Sequence, residues 1–358
     1  MTLHLDDQEP TGAAAGAPVI EARDLRVWYG SERGPVKAVD GVSFSLGKGE
    51  ILGLVGESGC GKSTLGRALL GLLPAGAAMD GSLLFHGEDL LTSSRKQMFA
   101  RRGSELGMIF QEPLTRLNPL MRISQHFEET VRAHEKGISR DEVRRRALEV
   151  LRLMGIPPTR YRAYPHEFSG GMRQRLMIAL ALVLRPSFVV ADEPTTALDV
   201  LVEAQIIRIL HDLRRDFDTS LLLITHNLGI VAEACDRVAV MYAGKIVELG
   251  DATTVFSRPQ HPYTRELLRS TISLRTTGLN YIPGAPPDLT DPPSACHFHP
   301  RCPDAMSICA NRAPRESIDD AGTHVQCWAA DLAAGRVQLT DAEKAPLIRE
   351  EISVADEA

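Results

Sequence analysis

The stretch Gly56-Glu57-Ser58-Gly59-Cys60-Gly61-Lys62-Ser63-Thr64 decides how the rest of this chain is read. Its spacing is G-x-x-x-x-G-K-S/T. It comes after the apolar run Ile-Leu-Gly-Leu-Val at 51–55 and precedes a segment carrying Leu65, Leu69 and Leu73 that closes at Pro74. That context predicts a loop between a strand buried on both faces and a helix. Its glycines let backbone N–H groups turn inward toward phosphate oxygens without steric cost, and the helix that starts near Gly61 adds unpaired donors and a positive dipole end. Lys62 supplies a point charge to those oxygens, and the Ser63 hydroxyl can join a Mg²⁺ shell. Cys60 reads as a position filled for its backbone.

Outward from the loop, residues 188–191 and 221–224 are further buried-strand runs, so the chain from Val19 to about Arg258 reads as α/β. The first of these runs ends in Asp192-Glu193. A carboxylate pair there suits magnesium chemistry, with Asp192 on the ion or its water and Glu193 polarising an attacking water. Residues 112–168 change to helical patterning. Ser139 and Glu142 can form a capping box ahead of Val143, Ala147, Val150, Leu151 and Met154 on one face, and Gly155 with Pro157 stops that helix. A helical block between buried strands reads as an inserted subdomain. Residues 1–17 read as a mobile tail, and 331–358 as a second tail with one short amphipathic helix.

The 358 residues carry a formal net charge of −6, with 44% apolar and 24% charged side chains. That is ordinary globular composition, and the absence of a Lys/Arg block excludes a chain built chiefly to neutralise nucleic acid. The longest apolar run, 176–184, has nine residues, against the ~20 that span a bilayer. The acidic beginning MTLHLDDQEP does not read as a secretory signal, so a cytoplasmic address is expected, and with it thiols rather than disulfides for the six cysteines.

A more distinctive stretch is Phe168-Ser169-Gly170-Gly171-Met172-Arg-Gln-Arg175, which resembles the signature motif of ABC ATPases and lies 23 residues before Asp192 when counted from Ser169. As chemistry it is a second phosphate cradle, a hydroxyl and two glycines at a helix start. Tyr29 resembles the adenine-stacking aromatic of that family. Gln111 resembles its Q-loop glutamine, which reaches Mg²⁺ and the attacking water; Ala197-Leu198-Asp199 resembles its D-loop, and His226 its switch histidine. The resemblance covers about residues 18–255. It implies an ABC-type P-loop nucleotide-binding domain (18–258) with an inserted helical subdomain (about 112–168), binding ATP and Mg²⁺. Glu193, His226 and Gln111 are then the catalytic residues. Tyr29, the whole stretch 56–64, Gln111 and Asp192 are the nucleotide-binding ones, with Ser169, Gly170, Gly171 and Met172 closing over the ATP of a neighbouring subunit.

Beyond the domain lie His261-Pro262-Tyr263, a Pro-rich stretch, and Cys296, Cys302, Cys309 and Cys327 at gaps of x5, x6 and x17. With so little periodicity, something other than an apolar core is expected to hold this part together. Spacing alone leaves zinc (helped by His297 and His299), an iron–sulfur cluster and unligated thiols all open. His-Pro-Tyr and Cys-His-Phe-His-Pro-Arg301-Cys-Pro-Asp-Ala-Met resemble the small, irregular, Cys-rich C-terminal extension (259–330) of dipeptide/oligopeptide importer ATPases. That resemblance implies a 4Fe–4S cluster on the four cysteines, with zinc as the alternative, while Cys60 and Cys235 belong to the ATPase core. It also implies a peripheral subunit on the cytoplasmic face of the membrane. Its partners are then a second, related ATPase, two permease subunits and, through the complex, an extracytoplasmic peptide-binding protein, with no nucleic acid. Alternatives are a soluble ABC ATPase of DNA repair or translation, an ATPase importing nickel or oligosaccharide, and an iron–sulfur redox protein regulated by ATP.

Two substitutions separate the assigned roles. Lys62→Ala should weaken nucleotide binding itself, whereas Glu193→Gln should keep binding and lose turnover by about 100-fold or more. Full ATPase activity in the Glu193→Gln protein removes that residue from its role.

Overall fold

The computed structural model describes residues 17–110, 117–195, 200–270 and 281–347. Gln111 and Ala197-Leu198-Asp199 lie outside the described residues. In chain order the strands are β1 (Ile20–Tyr29), β2 (Val36–Leu46), β3 (Ile51–Val55), β4 (Ala78–Phe85), β5 (Glu88–Asp89), β6 (Leu106–Ile109), β7 (Phe188–Asp192), β8 (Ser220–Ile224), β9 (Arg237–Tyr242), β10 (Lys245–Asp251), β11 (Ser317–Ile318) and β12 (His324–Val325). The helices are α1 (Lys62–Leu69), α2 (Arg95–Arg101), α3 (Ile123–His134), α4 (Arg140–Leu153), α5 (Gly170–Leu182), α6 (Val200–Phe217), α7 (Leu228–Ala234), α8 (Ala252–Ser257), α9 (Pro262–Arg269), α10 (Ser307–Asn311), α11 (Trp328–Ala333) and α12 (Asp341–Lys344).

Two sheets carry the architecture. An antiparallel sheet has the order β2-β1-β4-β5, and a larger mixed sheet the order β11-β12-β10-β9-β3-β8-β7-β6. Strands β9, β3, β8, β7 and β6 pair in parallel. Every residue of β3, β7 and β8 is buried, as continuous apolar runs in the middle of a parallel sheet require. Both anchors expected from the sequence therefore sit at carboxyl ends of inner strands, where ligands of open parallel sheets bind.

Helix α1 ends earlier than the sequence suggests. It stops at Leu69 rather than at Pro74, because Gly71 takes a left-handed φ of 61° and the N–H groups of Leu70, Gly71 and Leu72 turn back to Arg67 and Ala68. Helix α4 matches its buried face, with Val143, Ala147, Val150 and Leu151 inside, and it ends in a Schellman turn: Ile156 N–H bonds Leu151 O and Gly155 N–H bonds Arg152 O. Only half of its capping box forms. Ser139 accepts from Glu142 N–H, but the Glu142 carboxylate binds Arg145 and Arg146 instead of returning to the cap.

The C-terminal extension departs most from expectation. It is held by apolar packing after all. Val55, Val240 and Tyr242 of the main sheet form one cluster with Tyr263, Ile282 and Phe298, and Met306, Ile308, Cys309, Trp328 and Leu339 form a second. Phe298 is 1% exposed and Tyr263 0%, and side chains of this size each contribute about 2–3 kcal/mol on burial. Residues Glu248↔Val325 and Leu249↔His324 pair across β10 and β12, so the extension also continues the main sheet. Among the described residues no helix is long and apolar enough to cross a membrane.

His261 marks the joint. Its Nδ1 accepts from Tyr263 N–H to cap α9, Pro262 stands first in that helix, and its own N–H bonds the buried Glu248 carboxylate. Burial, assisted by the charge of Arg265, pulls the His261 pKa down to about 3 from an ordinary 6.5. Across that window the unfolded chain binds a proton that the folded chain refuses, so stability falls as pH drops, at up to about 1.4 kcal/mol per pH unit. Thermal unfolding followed from pH 7 to pH 5 should show a smaller loss in His261→Asn, whose amide oxygen can still cap the helix, than in the parent; equal losses contradict the assignment.

Candidate active site

The loop from Gly56 to Thr64 joins β3 to α1, and two of its glycines are obligatory. Gly56 has φ 151°, and a Cβ there would lie 2.1 Å from Met241 O; Gly61 has φ 108°, and its Cβ would lie 2.0 Å from Ala38 O. The loop is thus pressed against carbonyls of β9 and β2, a fit that no side chain permits. Gly61 then occupies the N-cap of α1, leaving the first helical N–H groups to face the loop.

Lys62 is 7% exposed. Its ammonium donates to Gly56 O at 2.7 Å and Glu57 O at 2.9 Å, so the charge is held inside the loop by two carbonyls. The Ser63 hydroxyl donates to Asp192 Oδ1 at 2.9 Å, which brings the two sequence anchors together. Burial raises the Asp192 pKa, with the Ser63 hydrogen bond opposing it. The hydroxyl and carboxylate side by side are the hard oxygen donors that magnesium takes, so these two residues fit a shared Mg²⁺ shell.

Glu193 sits at the mouth of β7 with a left-handed φ of 47°, held there by its N–H to Ile224 O at 2.9 Å. Non-glycine residues are seldom left-handed, and this one is turned so that its Oε1 lies 3.4 Å from His226 Nδ1. Tyr29, at the end of β1, donates its hydroxyl to Thr64 Oγ1 at 3.3 Å, which fixes the ring beside the loop. Ser169 caps α5 through Met172 N–H at 3.4 Å, and Ser169 and Gly170 are exposed, with Gly171 and Met172 half-buried. The cap and the open cradle coexist. Helix α5 buries Leu176, Ile178, Ala179 and Leu182, while Leu180 and Leu184 are only half-buried.

Three further groups singled out in the sequence are placed as follows. The Glu57 N–H donates to the Tyr263 hydroxyl at 2.9 Å, and its carboxylate takes Arg301. Cys60 is 6% exposed with its thiol pKa raised by burial, so its part in the loop is its backbone, whose carbonyl accepts from Gly244 N–H. The metal cluster finds no support. Among the described residues no three His, Cys, Asp or Glu side chains gather to hold a metal ion. Cys302, Cys309 and Cys327 are buried and Cys296 half-buried. Desolvation pushes the thiols upward, Cys296 to about 11 and Cys327 to about 12. Cys302 packs in the first extension cluster and Cys309 in the second, with Cys296 against both. His297 and His299 bond the carbonyls of Ala243 and Cys296 through Nδ1.

Two residues that the sequence reading misses hold the site from behind. Gln174 of α5 is buried and donates to Pro194 O at 2.8 Å, linking the signature helix to the turn after Glu193. Asn227 stands next to His226, caps α7, and donates to Glu203 of α6. Gln174 stands between Arg173 and Arg175, and Asn227 follows Thr225-His226, so neither stands out among its polar neighbours in the sequence.

Comparison with known proteins agrees with this geometry. Residues 39–196 match the family described as ABC transporter, and residues 247–309 match the oligopeptide/dipeptide transporter C-terminal region. The chain is 45% identical over 328 residues to the dipeptide transport ATP-binding protein DppD of Bacillus subtilis, covering 90% of this chain and 98% of that protein. It is 46% identical over 304 residues to the oligopeptide transport ATP-binding protein OppD of Salmonella typhimurium, covering 84% and 90%. Among solved structures it superimposes on cbiO1 of Clostridium perfringens, part of the ABC transporter complex cbiONQ, with a TM-score of 0.59 at 28% identity over 67% of this chain and 91% of that one. With the phosphate loop, its Ser63–Asp192 floor and the C-terminal region all matched, this chain belongs to the ABC transporter ATP-binding proteins, in the group that contains those of dipeptide and oligopeptide transport.

Proposed function

We propose that this chain is the ATP-hydrolysing subunit that powers import of dipeptides and oligopeptides through a membrane permease. The observation that carries the reading is the assembly at the strand ends: Lys62 in a glycine-walled loop, Ser63 on Asp192, and Glu193 beside His226. ATP is bound with its phosphates on the loop N–H groups and Lys62, and with Tyr29 against the base. Ser63 and Asp192 would hold Mg²⁺, which would supply charge neutralisation to the transferring phosphoryl group. Glu193 accepts the proton of the attacking water, and His226 orients it and contacts the γ-phosphate; Gln111 is assigned to the ion and that water. The exposed Ser169 and Gly170 belong over the nucleotide of a second ATPase subunit, a related chain in this proposal, so that hydrolysis needs the closed pair.

The reading also has a place for the permease. A groove of about 430 Å³ lined by Leu72, Met108, Phe110, Leu117, His126 and Met177 runs between β6 and helices α3 and α5. Its apolar lining suits a short amphipathic segment of a permease loop on the cytoplasmic side, which makes this chain a peripheral subunit. The helices α3 and α4 then form the inserted subdomain, and the peptide reaches the complex through an extracytoplasmic binding protein.

The experiment is uptake of a labelled dipeptide by vesicles containing the chain, its ATPase partner and the permease. Accumulation should require ATP and Mg²⁺ and should fall by about 100-fold or more when Glu193 is replaced by Gln. Uptake that proceeds equally with the Glu193→Gln chain contradicts the assignment.

A further inference from the structure

One residue of the phosphate loop is held largely from outside it. Glu57 has three polar handles: its N–H donates to the Tyr263 hydroxyl at 2.9 Å, its carbonyl accepts from Lys62 Nζ at 2.9 Å, and its carboxylate receives Arg301 in two bonds of 2.6 and 3.0 Å. Tyr263 and Arg301 both lie in the C-terminal extension, 206 and 244 residues away in sequence. The extension and the phosphate-contacting lysine therefore meet on a single residue.

Arg301 is built for this contact. Its side chain is 5% exposed, and the guanidinium spends all its N–H groups. Nε donates to Pro283 O, Nη1 to Glu57 and the Tyr242 hydroxyl, and Nη2 to Glu57 and Ile282 O. A buried, planar, fully satisfied fork of this kind fixes its carboxylate in position as well as in charge, which a lysine cannot do. Tyr263 is fixed just as firmly: its ring meets Tyr242 at 4.6 Å and Phe298 at 5.3 Å between centroids, and its own N–H is capped by His261. A third tie runs through the turn after β9, where Gly244 N–H bonds Cys60 O on one side and His297 bonds Ala243 O on the other.

We propose that Tyr263 and Arg301 are positioning residues of the nucleotide site: acting through Glu57, they hold the phosphate loop and Lys62 in receptive geometry, so the extension is a working part of ATP binding. The His-Pro-Tyr motif gains a physical purpose in this account, since His261 and Pro262 set the start of α9 and thereby aim the Tyr263 hydroxyl at the loop. The inference rests on the reading of the loop as an ATP site.

The test uses the complete transporter with its ATPase partner. Tyr263→Phe deletes one hydroxyl, and Arg301→Lys keeps the charge while removing the fork. For each, the KM for ATP, kcat, binding of a fluorescent ATP analogue and the melting temperature are measured. Losing one hydrogen bond to the loop should raise the KM of Tyr263→Phe about fivefold, and that of Arg301→Lys about tenfold, with kcat falling by less than KM rises. Because both act on Glu57, the double variant should raise KM by less than the product of the two single effects. Wild-type KM and analogue affinity in the variants, even with a lowered melting temperature, overturn the proposal by showing an ordinary packing role. Should Arg301→Lys fail to fold, Tyr263→Phe decides alone. Failure of the ATP reading itself looks different, because the parent complex would then show no saturable dependence on ATP.

Discussion

The contact on which this structure turns is the pressing of Gly56 and Gly61 against two strand carbonyls, where added Cβ atoms would stand 2.1 and 2.0 Å from Met241 O and Ala38 O. That approach bends the backbone into a ring narrow enough for Lys62 to bridge it from within, onto Gly56 O and Glu57 O. The Cys60 sulfur at 3.8 Å and the nearby Asp192 carboxylate complete the surroundings of that ammonium, a cation at the centre of a loop of backbone N–H donors, the setting that a polyanion takes.

Strand order supplies the rest. With β3, β8 and β7 adjacent and parallel, the carboxyl ends of three strands lie side by side, so Ser63, Asp192, Glu193 and His226 converge although they span much of the chain. Hydrogen bonds at the ends of these strands, Glu193 N–H to Ile224 O and Thr225 N–H to Leu54 O, lock the junctions. The signature helix is tied to the same place by Gln174 on Pro194. A rigid sheet thus carries the chemistry, and the exposed Ser169 and Gly170 are offered outward.

Much of the site is legible in the sequence because its information is local. Apolar runs at β3, β7 and β8 predict inner strands, while the glycine spacing, Asp192-Glu193 and Ser169-Gly-Gly mark the site itself. Contacts between remote segments leave no such local trace. Nothing in the chain order shows that residue 57 meets residue 301, so the loop motif predicts a phosphate ligand at Glu57, whose N–H and carboxylate in fact face the extension. Resemblance alone points to ligation by the four extension cysteines, and among the described residues no group of three metal-binding side chains gathers there. The prolines suggest a segment without a core, yet Tyr263, Ile282 and Phe298 borrow one from the ATPase domain. Apolar spacing continues past α1 to Leu73, but the left-handed turn at Gly71 that ends the helix is a backbone event.

The central claim is that backbone amides and Lys62 of this loop grip a triphosphate. Hydrogen exchange of the assembled transporter, with and without a non-hydrolysable ATP analogue and Mg²⁺, tests it most directly. The account predicts that amides from Ser58 to Ser63 become protected as the analogue saturates, with no such protection in the Lys62→Ala chain. Unchanged exchange across those residues at saturating analogue in the parent chain would contradict it.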